Sequence, residues 1–246
     1  MSESLLIERK GSTLVLTLNR PNQLNAMDSP LYERLIAALR AADNDDDVAS
    51  VIIRGEGRAF CAGADTGEFK TLTPDRMDLV EHRANLSYQL HKTIPEMGKP
   101  VIAAVHGYAV GGGAGLAVAC DIAVASQDTK LGYPEIKQGL VAAVVMANLT
   151  KQVGRKAAFE LVSTGRLVDA AEAARIGLIT RVVPVGAAYD EALATAELLS
   201  RNNASALVAT KRLFQAVGDV PLHEGLKLGR SANEAMRAYR VEAPKT

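Results

Sequence analysis

Two short stretches hold the residue types from which chemistry can be built without a reactive side chain. One is CAGAD, Cys61 to Asp65, and the other is VGGGAG, Val110 to Gly115. Each has the form of a strand–turn–helix junction, with an apolar run before it and helical character after it. Such a junction aims the unsatisfied N–H groups of a helix N-terminus at whatever stands in front of them. The residues must be small there, because a larger side chain would block the approach. Two donors from separate loops that converge on one oxygen make an oxyanion hole, which in a dry site stabilises developing negative charge by several kcal/mol. Gly–Ala turns also serve as plain packing junctions, and neither loop alone decides between the two roles.

Rival chemistries fail on spacing. A dinucleotide-binding GxGxxG is absent, because Gly111 and Gly113 are followed by Leu116 where the third glycine belongs. No Gly-Lys-Ser/Thr follows a glycine loop, so the phosphate cradle of a nucleotide hydrolase is missing too. Cys61 and Cys120 form no CxxC and have no nearby histidine pair, which excludes a disulfide framework and argues against zinc or any other metal site. Cys61 reads as small packing, since nothing beside it would activate a thiolate. His106 ends an apolar strand and Asp121 follows an apolar run, so both read as structural. His82 and His91 lie on the long helix after the first loop, whose mixed pattern leaves the direction of each open.

The elements that must position these loops come from an ordinary globular chain. Of 246 residues, 48% are hydrophobic and 23% charged, which argues against disorder. Lys plus Arg and Asp plus Glu both count 28, so no net field draws in nucleic acid or anionic lipid. Aromatics are 4% with no tryptophan, so a base-stacking surface is not expected. The first twenty residues lack a basic region followed by an apolar one, and with two isolated cysteines the expected compartment is reducing and cytoplasmic.

Val101 to Asp121, with five glycines and no charge before its last residue, has nearly the length of a membrane span. It reads instead as a strand, Val101 to Val105, closed by Gly107, and a short helix from about Gly112 to Ala119. Two short elements joined by glycines do not cross a bilayer. Elsewhere LLIE and STLVLTLN suggest a hairpin around Gly11, and Asp28 or Ser29 suits the cap of the helix that follows. VASVIIRG, CDIAVAS and ITRVVPV read as strands, KLG as a short strand, and RMDLVEHRANLSYQLHKTI as a long helix. LVAAVVMANL reads as a bulky apolar loop, with helix from Leu149. Beyond Pro184 the pattern is helical to the end.

These motifs occur together in one known arrangement. LNRPNQLNAMD, GRAFCAGAD, KPVIAAVHGYAVGGGAGLAVACD, LGYPEIKQGL and GRLVDAAEAARIGLITRVVP stand in the order and approximate spacing of the enoyl-CoA hydratase/isomerase (crotonase) family, which the chain resembles from Leu5 to Pro184 and into the helical tail. The resemblance implies an α/β fold in which ββα turns form a spiral core over residues 1–185. A C-terminal helical segment, 186–246, would serve oligomerisation into a homotrimer or a hexamer of two trimers. It implies an acyl-CoA thioester substrate, with no cofactor other than the coenzyme A that is part of it. The thioester carbonyl would lie between the N–H groups of Ala64 and Gly112, with Gly111 letting the backbone approach. Asn22, Gln23 and Leu24, beside Ala62 and Asp65, would contact the coenzyme A portion.

The resemblance also exposes a departure. Hydratases of this family carry two glutamates, one just after the triple glycine and one in a PE dipeptide downstream. Here the first position is Gly115, and only the second, Glu135, remains. A single carboxylate in an apolar pocket has a raised pKa and can take a proton from one carbon and return it to another. That suits migration of a double bond from the 3,4 to the 2,3 position. Water addition needs a second anchor, so 3-enoyl-CoA isomerase is the leading expectation and enoyl-CoA hydratase the alternative. A non-catalytic acyl-CoA-binding homologue is a third reading, opposed by the retained Glu135. A glutamate restored at Gly115 is expected to face Glu135 across the pocket, to lower isomerisation and to raise hydration only slightly, because LVAAVVMANL still crowds the water site.

Overall fold

The computed structural model describes residues 3–237. The chain opens with an antiparallel pair, β1 (Leu5–Lys10) and β2 (Thr13–Leu18), as the alternating run around Gly11 predicts. Helix α1 (Ser29–Asp43) starts where the Asp28 carboxylate accepts the Leu31 N–H at 3.0 Å. It buries Leu31, Leu35 and Leu39, a four-residue spacing that keeps one face on the core. Strands β3 (Ser50–Gly55) and β4 (Val101–Val105) then add in parallel beside β2, and helix α2 (Met77–Glu96) lies between them in sequence. β4 is buried at every residue, which is why its sequence is apolar without alternation.

From β4 to β7 the chain alternates between two sheets. β5 (Tyr108–Val110) leaves the first sheet for a second and runs into α3 (Gly112–Ala119). β6 (Ile122–Ser126) returns to the first sheet, β7 (Lys130–Gly132) joins the second, and α4 (Val145–Thr164) follows. β8 (Leu167–Asp169), α5 (Ala170–Arg175) and β9 (Arg181–Val183) close the series. The result is a six-stranded sheet in the order β1-β2-β3-β4-β6-β9 and a three-stranded sheet in the order β5-β7-β8. One strand in each sheet followed by a helix, as in β4-β5-α3 and β6-β7-α4, is the ββα turn that the resemblance implied. The glycine-rich stretch is thus β4, β5 and α3, and no helix among the described residues is long and apolar enough to cross a membrane.

The large sheet is covered on both faces. Val15, Ile52, Ile102 and Ala104 pack against Ala192 and Ala196 of α6 (Ala188–Ser200). Leu16, Val51, Ile53, Ala103 and Val105 point the other way, into the main core with Leu31, Leu35, Leu90 and Leu116. Helix α7 (Ala204–Gly218) is held to this body by one buried lysine. Lys211 Nζ donates to the carbonyls of Ile94 and Lys99, each at 2.9 Å, and pairs with Asp121 at 2.7 Å. Asp121 also accepts the Val101 N–H at 2.7 Å, consistent with its structural reading. Helix α8 (Leu222–Ala235) packs on α7, and the helical expectation for 238–246 lies outside the described residues.

Two expectations are corrected. LVAAVVMANL is not a loop throughout, because α4 begins at Val145 rather than at Leu149, drawn inward by the buried Val145 and Leu149. The segment read as helix after Leu149 also contains β8, whose three residues pair with β7.

Candidate active site

Three loops leave the small sheet from one end. Cys61 bridges Ala109 in parallel, Ala109 pairs with Leu131, and Val110 pairs with Gly132, also in parallel. Ala64, Gly112 and Glu135 follow these registers within a few residues, so all three stand beyond the carboxyl ends of adjacent parallel strands. Loops of an α/β sheet converge on ligand at such an end.

The glycines allow the first two loops to touch through their backbones. Gly63 has φ +94, and a Cβ there would stand 2.7 Å from the Val110 carbonyl oxygen and 3.2 Å from the Gly112 nitrogen. A Cβ on Gly113 would lie 2.1 Å from the Cys61 carbonyl oxygen, so only glycine fits. Gly111, at φ 56 and ψ −122, turns the chain into α3 and leaves Gly112 as its first residue. Among the described residues, neither the Ala64 nor the Gly112 N–H donates to a backbone acceptor. A Cβ on Gly112 would lie 3.8 Å from the Ala64 nitrogen, 3.4 Å from Tyr32 Oη and 3.6 Å from Met27 Cε. The two free amides therefore border one small volume walled by Tyr32 and Met27.

Glu135 comes to the same place on a single 3-10 turn, Pro134–Gln138. Its Oε1 lies 3.0 Å from the position of a Cβ on Gly111, at the mouth of α3, and its Oε2 is buried with no hydrogen-bond partner. Burial raises its pKa, opposed in part by its own backbone N–H. Tyr133, fully buried, stands behind it with an unpartnered hydroxyl, and burial and the neighbouring carboxylate both hold that phenol in its protonated form.

The segment expected to meet coenzyme A lies against the first loop. Pro21–Gln23 form a short turn with Asn22 and Gln23 exposed, and Leu24 enters the left-handed region at φ 51. The Leu24 carbonyl accepts the Ala62 N–H at 2.9 Å, which joins the two segments. The Asp65 carboxylate is engaged within the protein, paired with Arg20 at 2.7 Å and accepting the Gly67 N–H at 2.8 Å. Burial alone would raise its pKa, but Arg20 and the Gly67 N–H together hold it below the usual carboxylate value. Sequence reasoning missed Asn25. Fully buried at φ 57, it accepts the Arg20 N–H at 2.9 Å and donates to the carbonyls of Glu56 at 2.8 Å and Ala59 at 2.7 Å. An asparagine in a turn-rich stretch is the signal that could have found it, since asparagine tolerates the left-handed region.

The histidines separate cleanly. His82 is exposed beside Glu33, at 3.0 Å, and His106 bonds the Gly57 carbonyl at 2.9 Å, as a strand-end residue would. His91 is 5% exposed, has no partner on either ring nitrogen, and turns its Cε1 toward Gly115. Cys61 is fully buried with its thiol pushed up to about 12, which agrees with a packing role.

Gly115 stands in a crowded place. A Cβ there would stand 2.3 Å from Val145 Cγ1 and 2.9 Å from His91 Cε1. Val145 belongs to the apolar segment expected to crowd a glutamate at Gly115, and the first carbon of such a side chain would already require Val145 to shift. Gly115→Ala is expected to destabilise the fold by about 1–3 kcal/mol through overpacking. Adding Val145→Ala should recover much of that loss, because the two changes share one contact. Denaturant midpoints of the three variants measure this, and an unchanged midpoint for Gly115→Ala would show that the contact is soft.

Comparison with known proteins follows this geometry. The family model described as enoyl-CoA hydratase/isomerase matches residues 8–239. A Thermus thermophilus protein provisionally named an enoyl-CoA hydratase is 40% identical over 231 residues, 93% of this chain and 90% of the relative. The 2,3-dehydroadipyl-CoA hydratase of Escherichia coli is 35% identical over 227 residues, 92% of this chain and 87% of the relative. The crystal structure of an enoyl-CoA hydratase from Bacillus anthracis superposes with a TM-score of 0.90 at 30% identity, covering 94% of this chain and 90% of that one.

Proposed function

The chain belongs to the enoyl-CoA hydratase/isomerase family, and from that premise we propose that it moves the double bond of a 3-enoyl-CoA to the 2,3 position with Glu135 as its one acid/base group. Membership makes it an acyl-CoA enzyme of the crotonase type. The observation that carries the finer reading is the packing at Gly115, which leaves Glu135 without a second carboxylate at the position where family hydratases hold their first glutamate.

The steps follow from the groups in place. The thioester oxygen accepts the N–H groups of Ala64 and Gly112, which draws electron density from C2 and acidifies its hydrogens. The Glu135 carboxylate takes a C2 proton, and the electrons of that C–H bond pass through C1 onto the oxygen to give a dienolate. The carbonyl then reforms, the remaining electrons settle as a C2–C3 double bond, and C4 takes the proton back from Glu135. One carboxylate suffices because it begins and ends ionised. Asn22, Gln23 and Leu24 hold the coenzyme A portion alongside Ala62 and Asp65 in this reading. The exposed Phe214, Leu222 and Leu226 on α7 and α8 favour a homotrimer or hexamer, since apolar faces of this kind are usually covered by another subunit.

Ionised Glu135 is the active form, so activity should rise with pH as the carboxyl loses its proton. Because burial raises its pKa, the acid limb of kcat/KM should lie above the ordinary carboxylate value of 4.5. A limb at or below that value would remove Glu135 as the base. The substrate test is to supply 3-enoyl-CoA and 2-enoyl-CoA separately and follow migration and hydration. Migration faster than hydration supports the isomerase.

Enoyl-CoA hydratase is the second reading. It is favoured by the names of the relatives and by the unpartnered imidazole of His91 beside Gly115. Hydration outpacing migration would make it the first.

A further inference from the structure

Among the described residues, the buried side-chain nitrogen and oxygen atoms with no hydrogen-bond partner are His91 Nδ1, His91 Nε2, Tyr133 Oη and Glu135 Oε2. An unpaired buried polar atom costs roughly 1–3 kcal/mol, so such atoms concentrate where a ligand completes them. Glu135 and Tyr133 already belong to the reaction site. His91 comes from a different element, helix α2, yet reaches the same turn of α3. Glu135 abuts Gly111 and His91 abuts Gly115, and these two glycines are joined by the Gly115 N–H donating to the Gly111 carbonyl at 2.9 Å. One helical turn therefore separates the carboxylate from the imidazole.

His91 also occupies a telling volume. Its Cε1 lies 2.9 Å from the position of a Cβ on Gly115, and both ring nitrogens are bonded to Cε1. The imidazole thus fills the space from which a glutamate at that position would reach the acyl chain. Burial pushes its pKa down to about 4, so at neutral pH it is uncharged, with one nitrogen donating and the other accepting. A neutral group of that kind suits a neutral O–H partner better than an anion.

We propose that His91 is a positioning residue that hydrogen-bonds a neutral hydroxyl beside C3 of the bound acyl chain, either a water molecule or a hydroxyl carried by the acyl group. This rests on the acyl-CoA reading of the Glu135 site. It adds a third unpartnered polar side chain, beside Glu135 and Tyr133, to the reaction site. No bond to His91 forms or breaks. The residue holds oxygen while Glu135 moves the proton.

The test compares wild type, His91→Leu and His91→Gln. Affinity is measured for a saturated acyl-CoA and for the 3-hydroxyacyl-CoA of equal length, together with hydration and isomerisation rates. If the hydroxyl belongs to the acyl group, wild type should prefer the hydroxy ligand by about five- to tenfold, the worth of one net hydrogen bond. His91→Leu should abolish that preference, and His91→Gln, which both donates and accepts, should keep part of it. If the hydroxyl is water, the two affinities should match, and His91→Leu should lower hydration about tenfold or more with isomerisation retained. The imidazole nitrogen shifts of 15N-histidine-labelled wild type give a readout that needs no variant, and the His91 shifts should change on binding. Acyl-CoA binding with no hydroxyl preference, no hydration and no change in those shifts overturns the role of His91 alone. Failure to bind either acyl-CoA overturns the site reading and this proposal together.

Discussion

Glu135→Gln is expected to lower turnover by about two to four orders of magnitude, the usual worth of a positioned general acid/base. The amide keeps the shape of the carboxylate at the mouth of α3, 3.0 Å from the Gly111 Cβ position, but cannot accept the C2 proton. Acyl-CoA affinity should change little, because the contacts assigned to the coenzyme A portion lie on other segments. Stability supplies a control. Burial raises the Glu135 pKa, so the folded state holds this proton more tightly than the unfolded state. The corresponding stabilisation is present below the unfolded-state pKa and is lost as pH rises through the folded-state value. A neutral glutamine removes that loss, so the variant should melt no lower than wild type at pH 7. A variant that turns over near-normally would remove Glu135 from the mechanism, and one that loses activity by unfolding would show a depressed melting temperature instead.

Gly112→Val should cost about 3 kcal/mol or more in the activation barrier, which is at least a hundredfold in rate. The geometry says why. The first side-chain carbon would enter the space between the two free amides, 3.8 Å from the Ala64 nitrogen and 3.4 Å from Tyr32 Oη. The added methyl groups would then fill the place where the thioester oxygen must sit. The backbone of Gly112 itself needs no positive φ, and its Cβ position meets nothing closer than 3.4 Å, so the variant should still fold. This separates it from Gly113, whose Cβ would strike the Cys61 carbonyl. A folded Gly112→Val protein with full activity would reduce the second loop to a packing junction.

Much of the scaffold was legible because burial wrote it into the sequence. β4 is apolar at every position since both faces of the sheet are covered, and α1 shows its inward stripe and its Asp28 cap directly. Strands β5 and β8 were not legible, because three residues are too few to display a period. The start of α4 was misplaced because Val145 is apolar for a tertiary reason, its contact with Gly115, which no local pattern reveals. Gly63 and Gly113 bring the two loops into close backbone approach, and the crowding at Gly115 comes from Val145, in the apolar segment that the sequence marked as bulky. His91 was seen but not oriented. Helix α2 buries Leu86, Leu90 and Ile94 but also Arg83, His91 and Thr93, so its pattern does not mark one face.

The central claim is that one carboxylate and two backbone amides make C2 of an acyl-CoA exchange its proton, whatever follows. Its most direct measurement is hydrogen exchange at C2 of a saturated acyl-CoA in D2O, read by NMR with wild type, Glu135→Gln and Gly112→Val at equal ligand saturation. Deuterium should enter C2 with wild type, and both variants should slow its entry by a hundredfold or more. Exchange by Glu135→Gln at the wild-type rate, or none by a wild type that binds the ligand, would contradict the account.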